Sequence, residues 1–216
     1  MNKETTSTLK KLMIYILIYI AISSVIIYFN INKRYLIFNA GLSFIPYVVS
    51  GFTLSKKDSA LVVLIGLFVS VIFYPNAIYM FTDFIHIRTS DYYKIIGGEV
   101  VYVMEAINWI KLGTEVCLIT LSMVLSFETF VNILKLIRCH GHKIAELIML
   151  VIASAGTSIA VYIGRFLRFN SWDVLKIHTI VSNILKDIST NDYYLLGAFA
   201  IIHFIIMLTL YNMKQN

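Results

Sequence analysis

Long apolar stretches separated by short polar turns dominate the pattern of this chain. Crossing about 30 Å of hydrocarbon takes a helix of roughly 20 apolar residues, and six stretches approach that length. No part of the chain shows the alternating ten-residue strands of a transmembrane barrel. We therefore predict six transmembrane helices, at about residues 12–29, 35–54, 60–81, 114–137, 144–167 and 193–212.

Two connections have a different, amphipathic pattern. Residues 82–113 mix charges with aromatic side chains, and we interpret 99–111 as an interfacial helix, because Glu99 and Glu105 and the short length oppose a further span. Residues 174–188 are a second amphipathic stretch. The predicted fold is an all-α, polytopic helical membrane protein with interfacial helices, in one integral membrane domain over 1–216.

Composition supports a membrane location. Hydrophobic residues make up 59% of the 216 positions, charged residues only 14%, and the mean hydropathy is +0.80, too apolar for one soluble core. The net charge of +6 lies in short loops, where it meets anionic lipid head groups rather than nucleic acid. Cys117 and Cys139 lie about 33 Å apart along one predicted helix and cannot form a disulfide within the chain.

A polar ladder follows Pro75 at the end of the third predicted span. Asn76, Tyr79, Asp83 and His86 are spaced 3, 4 and 3 apart, so on an α-helix they share one face. Such an abrupt change from apolar to ionisable residues indicates a candidate site.

Two further polar motifs accompany the ladder. The second span carries a stripe of Asn39, Ser43, Pro46 and Ser50 on one face, including a proline that kinks a helix. The fifth span is followed at once by a cationic and aromatic motif of Arg165, Arg168, Asn170, Trp172 and Asp173.

The number of spans predicts which motifs share a membrane surface. Six spans place both termini on one side, and put Asn39, Asp83 with His86, and the residues after Arg165 on the other. Lysine and arginine divide nine to nine between the two sides. With Arg165 and Arg168 set aside as site residues and long loops discounted, the terminal side is more positive, which predicts cytoplasmic termini.

The two motifs together resemble an uncharacterised bacterial membrane-protein family, domain of unknown function 1361. The resemblance rests on Pro75-Asn76-Ala77 with the ladder, and on the run from Gly164 to Asp173, and it covers roughly spans two to six. Where that family commonly has an aromatic and acidic pair, this chain has Asn108-Trp109-Ile110-Lys111, without the acidic partner. The resemblance implies a membrane fold and these motif positions, and no activity.

The chemistry of the motifs supports two interpretations. In the first, Arg165 and Arg168 bind a phosphate or carboxylate through their guanidinium groups, and Asp83 and His86 act as acid and base. The other candidate ligand-binding residues are Asn170, Trp172, Asp173, Asn76, Tyr79 and Asn39. In the second, a salt bridge between Asp83 and Arg165 or Arg168 clamps two spans together, and Asn76, Tyr79 and Thr82 bond to the helix distorted by Pro75.

Ionisable residues inside spans are separate candidates. Glu128 and His203 form a proton path in one interpretation; in the other, His203 is neutral and bonded to a serine, and Glu128 is protonated or paired with Lys135. Cys139-His140-Gly141-His142 supplies only three metal ligands, so we predict no metal and no cofactor. Gly156, Ala160 and Gly164 form a small-residue ridge, which favours close packing of span four or six.

Three functions remain open from the sequence. The first is binding or processing of an anionic lipid or lipid-linked phosphate at the outer face, with membrane lipids as partners and no nucleic acid. The second is a structural or accessory membrane subunit with an ion-paired helix clamp. The third is a small proton-coupled transporter. No nucleophile or metal set identifies an enzyme.

Overall fold

The fold is helical, as predicted. The computed structural model describes residues 3–169, 173, 178, 182 and 188–215. In this part of the chain six segments are long and apolar enough to cross a membrane, which confirms an all-α polytopic fold. The helices are α1 (Lys3–Tyr28), α2 (Arg34–Ser55), α3 (Ala60–Phe73), α4 (Asn76–Phe81), α5 (Ala106–Leu136), α6 (Lys143–Arg165) and α7 (Thr190–Gln215). Most of the stretch 174–188 lies outside the described residues, so its interfacial helix stays a prediction.

The chain forms two compact units, each with its own buried apolar side chains. The first unit comprises Met1–Gly41 with Met80–Ser122. Its interior includes Ile26, Leu36, Met80 and Leu118. The second unit comprises Leu42–Tyr79 with Met123–Asn216, and its core cluster is Tyr74, Phe127, Phe130, Val131, Leu134, Leu150 and Met207.

The turns after α1 and α5 are short because both helices end in the same motif. Asn30 and Arg138 take left-handed backbone angles, with φ of 49° and 59°. The next N–H returns across the turn, from Ile31 to the Ile26 carbonyl at 2.9 Å, and from Cys139 to the Leu134 carbonyl at 2.9 Å. These bonds are those of the Schellman motif, in which glycine is the usual left-handed residue.

The third span is interrupted at Pro75. Helix α3 ends at Phe73 and α4 begins at Asn76, because proline has no N–H to continue the helical ladder. After Phe81 the chain tightens into a 3₁₀ helix, Thr82–His86. The polar ladder therefore lies partly on an α-helix and partly on a 3₁₀ helix. The prediction that its residues share one face assumed 3.6 residues per turn, and that period ends at Phe81.

The predicted interfacial helix at 99–111 is wrong in its first part. Residues Tyr93–Ile96 (β1) and Glu99–Tyr102 (β2) form an antiparallel hairpin, and α5 begins at Ala106, earlier than the predicted start at 114. Gly97 and Gly98 make the two-residue turn, with φ of 61° and 89°, angles that glycine adopts readily. Paired β-branched residues on either side of two glycines are the hairpin signal that the helical interpretation overlooked.

Helix α6 packs against α7, but not through the predicted small-residue ridge. Its buried side chains include Leu150, Ser154 and Val161. A Cβ atom added to Gly156 would meet no described atom within 4 Å, and only Gly164 is in close contact, where a Cβ would lie 3.2 Å from the Tyr79 ring. The close contact at Gly164 is therefore with the third span, and not with span four or six as the ridge predicted.

Candidate functional site

The ladder residues occupy different environments. The Asn76 amide donates a hydrogen bond to the Phe73 carbonyl at 3.0 Å, so it caps the helix interrupted by Pro75, as the structural interpretation predicted. Asp83 is buried, with 2% of its surface exposed, whereas His86 is exposed and meets the Tyr35 ring edge to face at 6.4 Å between centroids. Asn39 is half-buried on α2. The roles of Asp83 and His86 as acid and base stay predictions.

The cationic motif after α6 begins with a defined contact. The Arg165 guanidinium lies over the Tyr79 ring, 4.7 Å from its centroid, within the range of a cation–π interaction. Gly164 allows this approach, because any side chain there would press against the same ring. The structure thus brings together two of the predicted site residues, Tyr79 and Arg165.

Arg168 differs from Arg165 in exposure and backbone. Its side chain is exposed, and its φ of 60° places it in the left-handed region, at the end of a turn in which the Phe169 N–H donates to the Ile163 carbonyl at 3.2 Å. Asp173 is half-buried. Asn170 and Trp172 lie outside the described residues, so their part in a site stays a prediction.

A hydrogen-bonded group of three side chains occupies the interior of the second unit. His203 of α7 bonds through Nε2 to the Tyr74 hydroxyl at 3.0 Å, and through Nδ1 to the Ser154 hydroxyl at 2.8 Å. All three residues are buried. The Ser154 hydroxyl also donates to the Leu150 carbonyl, so it accepts from Nδ1–H; in a neutral ring Nε2 then accepts from the Tyr74 hydroxyl. The bond to Ser154 is the serine contact of the second interpretation, and the neutral state of the ring stays a prediction.

Glu128 pairs with a different lysine from the one predicted. Its carboxylate lies 3.2 Å from the Lys214 ammonium in the last turn of α7, and Lys214 also lies over the Phe127 ring. Lys135 lies two helical turns beyond Glu128, whereas Lys214 comes from another helix that packs at the level of Glu128. The pair is partly exposed, so it is consistent with a helix end rather than with a proton path.

Two residues of the run Cys139-His140-Gly141-His142 bond to a carboxylate of α6. Glu146 accepts bonds from the His140 ring at 2.8 Å, from the Gly141 N–H at 2.8 Å and from the Tyr211 hydroxyl. Among the described residues, no group of three histidine, cysteine or acidic side chains is placed to hold a metal ion. The contacts of Glu146 fix the first turn of α6 to α7.

Comparison with known proteins identifies the family of this chain. The model of the family described as "Protein of unknown function (DUF1361)" matches residues 38–209. The chain belongs to this family. No curated protein and no solved structure matches it. The resemblance stated from the two motifs is therefore confirmed, and it carries no activity with it.

One prominent feature of this DUF1361 member has no counterpart among the residues predicted from sequence. Lys33, in the turn before α2, donates a hydrogen bond to the Glu115 carboxylate of α5, and their side chains are only 6% and 0% exposed. Lys33 precedes the matched range, whereas Glu115 lies inside it. The six predicted spans place the first turn and the start of span four on the same side of the membrane. That shared location is the sequence signal that could have suggested the pair of Lys33 and Glu115.

A second, more exposed ion pair lies one helical turn before Glu115. The Lys111 ammonium is 2.9 Å from the Asp91 carboxylate, with both side chains 25% exposed. Burial raises the pKa of the neighbouring Tyr92 phenol, opposed by Lys111 and reinforced by Asp91 and Glu115. Tyr92 therefore stays neutral at physiological pH.

Proposed function

We propose that this membrane protein binds an anionic lipid or a lipid-linked phosphate through Arg165 and Arg168. The observation that carries the proposal is the contact of Arg165 with Tyr79, which holds a half-buried guanidinium in a fixed orientation. A guanidinium stacked on an aromatic face keeps its N–H groups directed outward in its own plane, the geometry that recognises phosphate oxygens. Partial burial strengthens such charge-assisted bonds.

Arg168 supplies the second positive charge. It lies three residues further along the chain, is exposed, and follows the end of a span, where lipid head groups are found. The carbonyl groups at the end of α6 carry partial negative charge, which stabilises the arginines but repels an anion. Binding therefore depends on the guanidinium groups themselves, and removing either charge is expected to reduce it.

The test uses a matched pair of arginines. Arg138 is also exposed, also follows a helix end and also has a left-handed φ, of 59° against 60° for Arg168. We would measure binding of the purified protein to nanodiscs or vesicles of phosphatidylglycerol and of phosphatidylcholine. Loss of a charged hydrogen bond of about 1.5–3 kcal/mol predicts that Arg168→Gln weakens binding to the anionic lipid about ten- to hundredfold, with Arg138→Gln unchanged.

Other outcomes separate the alternatives. Equal loss for both variants would mean a general attraction of positive charge to anionic lipid, and would refute the proposed site. A structural role is favoured by the same Arg165 contact, since Arg165 and Gly164 both pack on Tyr79. Under that role, Arg165→Gln lowers the amount of folded protein while the folded fraction binds lipid as the parent does.

We further propose that the protein processes the bound lipid-linked phosphate, with Asp83 and His86 as acid and base. Asp83→Asn is expected to abolish turnover of a lipid-linked phosphate and to leave membrane abundance unchanged. A collapse in abundance would instead assign this buried carboxyl to the structure. A proton-coupled transporter remains the third proposal, and the pairing of Glu128 with Lys214 gives it no support.

We also propose a bacterial plasma-membrane location with cytoplasmic termini. The distribution of lysine and arginine along the sequence supports the orientation, and the resemblance to a bacterial membrane-protein family supports the location. Labelling of single cysteines in the terminal segments with a membrane-impermeant reagent tests it: labelling only after the membrane is opened is expected, and labelling in intact cells would reverse the orientation.

A further inference from the structure

The hairpin of β1 and β2 presents an apolar face that no described part of the chain covers. Directly opposite residues of an antiparallel pair share a face. Tyr93 pairs with Tyr102, and Ile95 with Val100. These four residues, here called the apolar face, are 38%, 66%, 70% and 54% exposed, in the order Tyr93, Tyr102, Ile95 and Val100.

The opposite face carries the charges of the hairpin. It consists of Lys94 opposite Val101, and Ile96 opposite Glu99. One face of the hairpin is therefore apolar, and the other face carries its charged side chains. An isolated two-stranded hairpin is marginally stable in water, and a hydrophobic face adds stability only where something covers it.

The base of the hairpin is fixed to the first turns of α5. The Val103 N–H donates to the Tyr92 carbonyl at 2.8 Å, which extends the strand ladder, and the Trp109 indole N–H donates to the Val103 carbonyl at 3.1 Å. Tyr92 meets Trp109 edge to face at 5.6 Å, and the Asn108 amide donates to the Asp91 carbonyl at 2.8 Å. The hairpin thus has a defined direction relative to the start of a membrane span.

We infer that the apolar face of the hairpin lies in the membrane interface, in contact with lipid. Both ends of the segment join candidate spans, Ala60–His86 and Ala106–Leu136, so it is held at the membrane surface. Tyrosine and tryptophan are the residues enriched at head-group level, and Tyr92 and Trp109 mark that level at its base. Exposed apolar surface also continues from the hairpin through Met104, 87% exposed, to Ile107 on α5.

Lipid is preferred to a protein occupant because of this continuity. Along the chain, exposed apolar residues lead from the apolar face through Met104 to Ile107 at the start of a candidate membrane span, and the charged residues Lys94 and Glu99 lie on the other face, where water or head groups solvate them. The inference goes beyond the proposed anion site, because it concerns only the hairpin and the start of α5. The result of the lipid-binding experiment with Arg168→Gln does not affect this inference.

The test compares two adjacent valines on opposite faces. Val100 and Val101 are 54% and 46% exposed, so each accepts a spin label without disturbing a core. Each is replaced by cysteine in a Cys117→Ala, Cys139→Ala protein, labelled, and reconstituted into phosphatidylcholine and phosphatidylglycerol vesicles. Oxygen concentrates in the acyl region and a charged nickel chelate in water, so their relative collision rates report depth. In a separate Cys139→Ala protein, a label on native Cys117, which is exposed, provides the lipid reference.

We expect the label at 100 to collide with oxygen at least several-fold more, relative to the nickel chelate, than the label at 101. Labels at Ile95 and Lys94 repeat the comparison on β1, with 95 resembling 100. Similar, water-like values at all four positions would overturn the inference. Protection of 95 and 100 from both reagents would also overturn it, and would indicate that a protein surface, such as a second copy of the chain, covers this face.

Discussion

Lys33 and Glu115 form an ion pair in the interior of the first unit, 82 residues apart in sequence, with almost no exposed side-chain surface. Removing one partner leaves a buried charge without its counter-ion. We expect Lys33→Met or Glu115→Leu alone to lower the free energy of unfolding by about 3–5 kcal/mol. Reversible unfolding in mixed detergent micelles measures this loss.

The double variant and a second pair provide the controls. Replacing both Lys33 and Glu115 by apolar residues is expected to restore most of the stability, because a buried pair and a well-packed apolar pair are often close in energy. The corresponding single change at the more exposed pair, Lys111→Met, is expected to cost about 1 kcal/mol or less. A double variant as unstable as both singles combined would contradict this account.

Ser154 and Ser158 form a natural comparison for the bond to His203. Both hydroxyls are buried and donate to a carbonyl of their own helix, at Leu150 and Ala155, but Ser154 also accepts from His203. Ser154→Ala is expected to destabilise the protein by about 0.6–1.7 kcal/mol more than Ser158→Ala, the range of interhelical hydrogen bonds in membranes. Equal effects in thermal unfolding would show that the histidine bond contributes nothing measurable.

Gly66 of α3 permits a close approach to Thr53 of α2. A Cβ added at Gly66 would lie 1.9 Å from the Thr53 Oγ1 and 2.9 Å from its Cβ, so the helices would have to separate. Gly66→Ala is expected to cost about 1–3 kcal/mol, as overpacking does. The matched change Gly156→Ala meets no described atom, and is expected to stabilise by about 0.5–1 kcal/mol through helix propensity.

Rescue tests the cause of the Gly66 effect. Thr53→Ala removes the two atoms that the new methyl group meets most closely, so the double variant is expected to recover part of the stability. A Gly66→Ala protein that melts with the parent would show that α2 and α3 adapt without cost.

The two turn glycines are expected to differ in what they tolerate. Gly97 has a φ of 61°, which asparagine also adopts, and asparagine followed by glycine suits this turn, so Gly97→Asn should leave the hairpin intact. Gly98 has a φ of 89°, and Gly98→Val should open it, because a β-branched residue strongly disfavours that angle. Trypsin cleavage after Lys94 in detergent should accelerate several-fold in the second variant alone.

Hydropathy predicted the spans well, because the length of an apolar stretch is set by the membrane it crosses. It failed between the spans, where length and polarity do not distinguish a short helix from a hairpin. Gly97-Gly98 between β-branched residues was the decisive local signal at that point. The early start of α5 at Ala106 was missed because Glu99 and Glu105 favoured a separate interfacial helix at 99–111, which left residue 114 as the predicted start of the fourth span.

The sequence identified individual residues of the candidate site, but not the contacts between them. Arg165 and Tyr79 could be named from their motifs, yet their contact depends on Gly164, which the sequence suggested as part of a helix-packing ridge and as the first residue of the second motif. Glu128 was paired with its neighbour Lys135 because sequence reasoning favours local partners. Its observed partner Lys214 is 86 residues away, and such pairing follows only from how the helices pack.

The hydrogen bond between Tyr74 and His203 has a consequence for how the chain is made. The two residues are 129 positions apart, and Tyr74, directly after α3, is synthesised well before His203 of α7. At about 5–20 residues per second, Tyr74 precedes its partner by roughly 6 to 26 seconds. During that interval the hydroxyl must stay near water or use a temporary partner, so final assembly of the second unit waits for α7 to leave the ribosome.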